Sequence, residues 1–141
     1  GRAVSKTYAL ETGTAVVRLT GEDTGGLYTI IEYTTKPGHA RSLHVHHHME
    51  EAFLMISGEG TFRVDERVFT ASPGEYVLVK RGVPHNIFNR SNADAVWLEI
   101  YTPPGFEQYL EALAQAAAAN NGVIPADVRE AIAARHDIER V

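Results

Sequence analysis

The stretch HVHHHMEE, His44 to Glu51, gathers four of the chain's seven histidines and two adjacent carboxylates. Imidazoles and carboxylates at that density suit transition-metal binding through nitrogen and oxygen, general acid–base transfer, or no chemistry beyond that of a solvated loop. Spacing separates these readings. Strand side chains alternate between faces, so His44 and His46 point the same way and converge as two imidazole ligands must. Glu51 lies five residues beyond His46, an odd step that would put it on the opposite face of one unbroken strand. A turn through His47, His48 and Met49 therefore has to intervene, and Glu51 then starts a new strand with its carboxylate toward the same point. Phe53 and Met55 share the face of Glu51 and would line an apolar cavity next to the polar cluster, the usual composition of a ligand pocket. His85, which follows RGVP and starts the segment HNIFN, is the remaining candidate ligand.

Other polar residues take plainer readings. His47 and His48 read as turn residues, able at most to support a ligand by a hydrogen bond. His39 sits beside a turn glycine, and His136 closes the last helix, where a cation suits the dipole. Glu50 is the nearest rival of Glu51. Trp97 and Glu99 alternate onto one face of the last strand and, with Ile87, are either pocket wall or plain core. No Ser-His-Asp arrangement, phosphate-cradling loop or dinucleotide fingerprint competes with the histidine cluster.

The elements that must position these residues are short β segments: TAVVRL (14–19), LYTIIEYTT (27–35), RSLHV (41–45), EAFLMIS (51–57), GTFRV (60–64), RVFTA (67–71), EYVLVK (75–80), HNIFN (85–89) and AVWLEIYT (95–102). The breaks GEDTGG, KPGH, GEG, DE, SPG, RGVP and SNAD are all suited to turns. Many short strands with no helix pattern between them predict an all-β antiparallel barrel or sandwich and argue against βαβ units. Beyond Thr102 the composition changes. Phe106, Tyr109, Leu110, Leu113, Ala114 and Ala117 recur at helical spacing, Asn120-Asn121-Gly122 supplies a stop, and Pro125 opens a second helix carrying Val128, Ile132 and Ala133. The expected organisation is a β-barrel over residues 1–103, with an N-terminal strand segment, and a helical extension over 104–141 packed on the barrel or on a partner subunit.

A chain of 141 residues can bury a real core as one domain. Its net charge of −5, with 13 scattered Lys and Arg, offers no basic stripe for nucleic acid. Cysteine is absent, which excludes disulfides, thiolate ligands and a thiol nucleophile, so any metal must sit on nitrogen and oxygen. No apolar run approaches the ~20 residues of a membrane span, and GRAVSKTYAL contains neither an h-region nor a small-residue cleavage site. The expectation is a cytoplasmic protein with no membrane partner.

Gly38, His44, His46, Glu51 and Gly58 have the spacing of the first cupin motif, and Gly74, Gly82, His85 and Asn89 that of the second, which departs only at Lys80, where proline is usual. The chain thus resembles the cupin superfamily. The resemblance implies a jelly-roll barrel holding one divalent transition metal on His44, His46, Glu51 and His85, and a homodimer. Iron, manganese, nickel, cobalt, copper and zinc all suit that ligand set. The tail PPGFEQYLEALAQ and its following helix look like those of small bacterial cupins grouped with quercetinases. That likeness implies a dioxygenase of an aromatic or enolisable small molecule, flavonols being the type, with Glu51 as ligand and general base. Non-redox cyclases, isomerases or decarboxylases, and non-catalytic binding modules, are the alternatives.

Overall fold

Alternation of apolar and polar residues in segments such as TIIEYTT and AVWLEIYT leaves one face that must be buried, and the computed structural model, covering residues 1–141, buries it between two antiparallel sheets. The strands are β1 (Lys6–Leu10), β2 (Gly13–Leu19), β3 (Thr29–Thr35), β4 (His44–Val45), β5 (Glu50–Ser57), β6 (Gly60–Val64), β7 (Arg67–Ala71), β8 (Tyr76–Val79), β9 (His85–Phe88), β10 (Ala95–Thr102) and β11 (Glu139–Arg140). Two helices, α1 (Phe106–Ala119) and α2 (Ala126–Ala134), lie between β10 and β11. One sheet has the order β1-β2-β3-β10-β5-β8 and the other β11-β4-β9-β6-β7. The all-β barrel of jelly-roll type with a helical C-terminal segment, predicted from the sequence, is the observed fold. No helix is long and apolar enough to cross a membrane.

The inner faces meet in a core built around Trp97, Tyr33, Tyr101, Phe53, Phe62, Ile31 and Met55, all fully buried. Tyr33 stacks on Trp97 at 5.7 Å, and Phe53 of one sheet meets Phe62 of the other edge to face at 5.2 Å, the offset and perpendicular arrangements that ring quadrupoles favour. Two glycines are dictated by close approach. Gly58 has φ +71, and a Cβ there would lie 2.3 Å from the carbonyl oxygen of Asp94. At Gly21 a Cβ would collide with Pro104. This lets the β2–β3 loop press against the start of α1, where Glu107 accepts hydrogen bonds from the Gly21 and Gly105 amides and the Thr29 hydroxyl.

Three local features bear on function, the first two of them departures from the sequence reading. RSLHV is strand only over His44–Val45, so residues 41–43 escape strict alternation. The second helix ends at Ala134, and the chain then returns to the barrel as β11, paired with β4. β1 pairs with β2 in register from Lys6↔Val17 to Leu10↔Gly13.

Candidate metal centre

β4 and β9 are neighbours with His44 opposite His85, which sets two imidazoles side by side on the inner face of the smaller sheet. His46 follows β4 in the same two-residue alternation. Glu51 comes from the facing sheet, on β5. His44, His46, Glu51 and His85 are all buried, and one potential ligand atom from each lies within 4.8 Å of the others. The four side chains that the motif spacing singles out are thus brought together at one point between the sheets.

The orientation of the rings is as informative as their proximity. Nδ1 of His44 lies 2.7 Å from the Ser42 carbonyl oxygen, Nδ1 of His46 2.7 Å from that of Asp137, and Nδ1 of His85 2.9 Å from that of Val83. A carbonyl can only accept, so each Nδ1 carries the proton and each Nε2 presents a lone pair, the tautomer that metal-binding histidines adopt. Glu51 Oε1 then sits 2.9 Å from His46 Nε2 and 2.8 Å from His85 Nε2, and yet Glu51 Oε1 and His85 Nε2 are buried without a hydrogen-bond partner. These two observations agree once the tautomers are fixed, because lone pairs face lone pairs with no proton between them. A cation satisfies both atoms. Bonds of about 2.1 Å would set adjacent ligands about 3 Å apart, so the donor set fits a divalent transition metal.

Charge in this region is sharply partitioned. Burial, reinforced by His85 and His46, pushes His44 down from 6.5 to about 3, which keeps it neutral as a ligand must be. For His46 burial also acts downward, but the adjacent Glu51 carboxylate outweighs it and the net shift is upward. Burial acts to raise Glu51, yet the neighbouring Glu99, His46 and His85 hold it well below the usual carboxylate range. Burial and the Glu51 charge push Glu99 well above that range, against the pull of Arg41. The opposed shifts favour the charge on Glu51 and the proton on Glu99.

The His44 shift carries a testable sign. Its folded pKa lies below its unfolded one, so the folded chain binds fewer protons and stability falls as pH drops from 6.5 toward about 3. The slope approaches ~1.4 kcal/mol per pH unit. Denaturant titrations of the chelator-treated protein should show this fall and His44→Gln should lack it, whereas equal slopes in the two proteins would remove His44 from the account. His46, raised, acts in the opposite sense, its contribution being lost as pH rises above 6.5.

The remaining candidates separate clearly. Phe53, Met55, Ile87 and Trp97 point inward as alternation requires, and pack as core. Glu99 is fully buried and accepts hydrogen bonds from Trp97 Nε1 at 2.9 Å and from Arg41 at 3.3 Å. None of the five lines the large cavity, about 810 Å³, that adjoins the cluster at His44. His47 is exposed and pairs with Glu139, while Glu50 pairs with Arg81. Asn89 braces a turn: its amide donates to the Thr35 and Ala93 carbonyls, and its oxygen accepts from Ser91.

Two residues outside the sequence reading prove central. Asp137 adopts φ +61; its carbonyl orients His46, and its carboxylate accepts from the amides of His47, His48 and Met49 at 2.7, 2.8 and 2.9 Å. It thereby shapes the turn that faces Glu51 inward. Asp is among the few residues that tolerate this conformation, which is the one local hint in RHDIE. Arg41, freed from strand alternation, reaches Glu99 and lies 3.9 Å over the Tyr33 ring.

Residues 31–101 match the family described as Cupin domain. Quercetin 2,3-dioxygenase of Bacillus subtilis is 30% identical over 91 residues, 64% of this chain and 26% of that protein. Alginate biosynthesis protein AlgA of Pseudomonas putida is 31% identical over 67 residues, 48% of this chain and 14% of that protein. The chain therefore spans about a quarter or less of the length of these relatives. Among solved structures, KdgF from Halomonas sp. superposes with a TM-score of 0.65 at 12% identity, covering 73% of this chain and 90% of that one. The capsular polysaccharide assembling protein CapF of Staphylococcus aureus gives 0.61 at 23%, covering 70% and 29%. At these identities the structural likeness speaks for the fold.

Proposed function

The chain belongs to the cupin family, and from that membership we propose that it is a metal-dependent enzyme acting on an aromatic or enolisable small molecule, foremost as a dioxygenase. The observation that carries this reading is the convergence of three lone-pair Nε2 atoms and an ionised Glu51 in a buried site beside a large cavity. Similarity to a quercetin 2,3-dioxygenase over 64% of the chain supports it. When bound, the metal supplies Lewis acidity and, if redox-active, a partner for oxygen chemistry. His44, His46 and His85 hold it, each ring fixed by a backbone carbonyl. Glu51, ionised and shielded from water, accepts the proton of a substrate hydroxyl. Glu99, held well above the usual carboxylate range beside the Glu51 charge, favours the ionised form of Glu51. Phe106, stacked on Tyr101 at 4.4 Å and packed against His46, excludes water from the cluster.

Oxygen consumption by iron-, manganese- or nickel-loaded protein with flavonol or catechol-like substrates tests the reading. Turnover that is equal without oxygen, or undiminished with zinc, would overturn it in favour of a non-redox cyclase, isomerase or decarboxylase. That second reading has its own support in the Glu51–Glu99 pair, since two carboxyls with opposed pKa shifts are the makings of an acid and a base.

We further propose a homodimer. Tyr76, Leu78, Ile56 and Ile100 are exposed on the outer face of the six-stranded sheet, where Leu78, Ala52 and Ile100 are cross-strand neighbours. An apolar face repeated in every copy suits an isologous contact with itself. Light scattering should give twice the chain mass for wild type and the chain mass for Leu78→Glu/Ile100→Glu; a monomeric wild type would sink the idea.

A further inference from the structure

The cavity of about 810 Å³ beside the metal cluster is bounded by β1 on one side and by α1, α2 and the residues between them on the other. Its wall is largely apolar, with Leu10, Leu110, Leu113 and Ile124 among the lining residues, and His44 is the one cluster residue that reaches it. Its charged lining is Lys6, Arg41, Arg129 and Arg140 against the single carboxylate of Glu11, an excess of positive charge in a chain of net charge −5. Three of these cations already have carboxylate partners toward solvent: Lys6 with Glu111, Arg129 with Glu11 and Arg140 with Glu130.

Arg41 differs. Its side chain is 18% exposed, its guanidinium lies 3.9 Å over Tyr33 and 5.5 Å from the Trp97 ring, and it donates one hydrogen bond, to Glu99 at 3.3 Å. A guanidinium has five N–H donors in a planar fork that matches a carboxylate or enolate. In a site of low dielectric the attraction for an anion is far stronger than at a wet surface. Arg41 and His44 line the same cavity, so a head group on Arg41 leaves the apolar space between β1 and α1 for the rest of the molecule. The volume lies within the range of small-molecule pockets and accommodates a fused-ring or medium-chain body.

We propose that this cavity binds an amphipathic organic anion, with its acidic head on Arg41 beside His44 and its apolar body between β1 and α1. The inference rests on the metal-enzyme reading only in taking the cavity as the substrate chamber of that centre; the charge and shape of the ligand follow from the cavity itself. Isothermal titration with 2-naphthoate and its uncharged isostere 2-naphthamide, on the zinc-loaded and the EDTA-treated full chain, tests it. The acid should bind at least about ten-fold more tightly than the amide in both forms. Arg41→Met should level the two, and Ala117→Trp, which fills the cavity far from the ligands, should weaken both by a similar factor. Equal affinity for acid and amide would overturn the proposal, as would unaltered binding by Ala117→Trp, or a preference for the acid confined to the zinc form. Should Arg41→Met fail to fold, the ligand pair on wild type and Ala117→Trp still decide. Failure of oxygen uptake with naphthoate binding intact would refute the oxygenase alone, and the converse result would refute the cavity assignment alone.

Discussion

Replacing His85 with alanine is expected to take the metal content of the purified, tag-free chain toward zero, while Glu51→Gln lowers kcat/KM on the order of 10²–10⁴-fold. His85 Nε2 is buried, 2.8 Å from Glu51 Oε1, and has no hydrogen-bond partner, so alanine removes a ligand that nothing nearby can replace. Glu51→Gln preserves volume but exchanges an anion for an amide that cannot accept a substrate proton, so its effect falls on the chemical step even where metal is retained. His47→Ala/His48→Ala is the discriminating control. Both are exposed and turn outward, with His47 on Glu139, so the double variant should bind metal as wild type does. Elemental analysis of the three proteins checks the assignment. A full complement of metal in His85→Ala, or its loss in the double variant, would show that histidine density and not geometry holds the ion.

The contrast between those histidines was legible in the sequence because it rests on alternation, a local rule. His44 and His46 are two apart, and the odd step to Glu51 required a turn between them; both inferences need only the period of a strand. The strands GTFRV, RVFTA and AVWLEIYT were readable to the residue for the same reason, since each alternates and is closed by turn chemistry. β11 was not readable. Two exposed residues have no periodicity, and they form a strand because the edge of β4 is there to pair with.

The pocket was less legible than the metal cluster. Phe53, Met55, Ile87 and Trp97 do face inward, but inward in a two-sheet fold means core wherever the opposing sheet is close. The open space lies instead where β1 and the helices stand off from the barrel, and their packing follows from contacts such as Glu111 with Lys6 and Tyr8, about a hundred residues apart. Arg41 was hidden differently. Treated as part of a strand RSLHV it would lie on the face opposite His44, three residues on, and it reaches the interior only because residues 41–43 are irregular. Local periodicity carries no information about such a departure.

Asp137 is the position where a distant substitution should have its largest effect on the metal. Asp137→Ala is expected to weaken metal affinity about 10–100-fold, the usual consequence of losing a group that orients a ligand. Two contributions are separable by the choice of side chain. The carboxylate holds the His47, His48 and Met49 amides, whereas the carbonyl that orients His46 depends on the backbone staying at φ +61. Glycine keeps that conformation without the carboxylate, asparagine keeps it with one acceptor oxygen, and alanine disfavours it by ~1 kcal/mol or more. Metal affinity should therefore fall in the order Asp, Asn, Gly, Ala. Competition with a calibrated chelator measures the affinities, and the visible spectrum of the cobalt-loaded protein reports whether His46 has turned. A purely architectural Asp137 would lower the melting temperature in that same order while leaving the spectrum and the affinity of the folded protein unchanged, and that outcome would sever the C-terminal segment from the metal site.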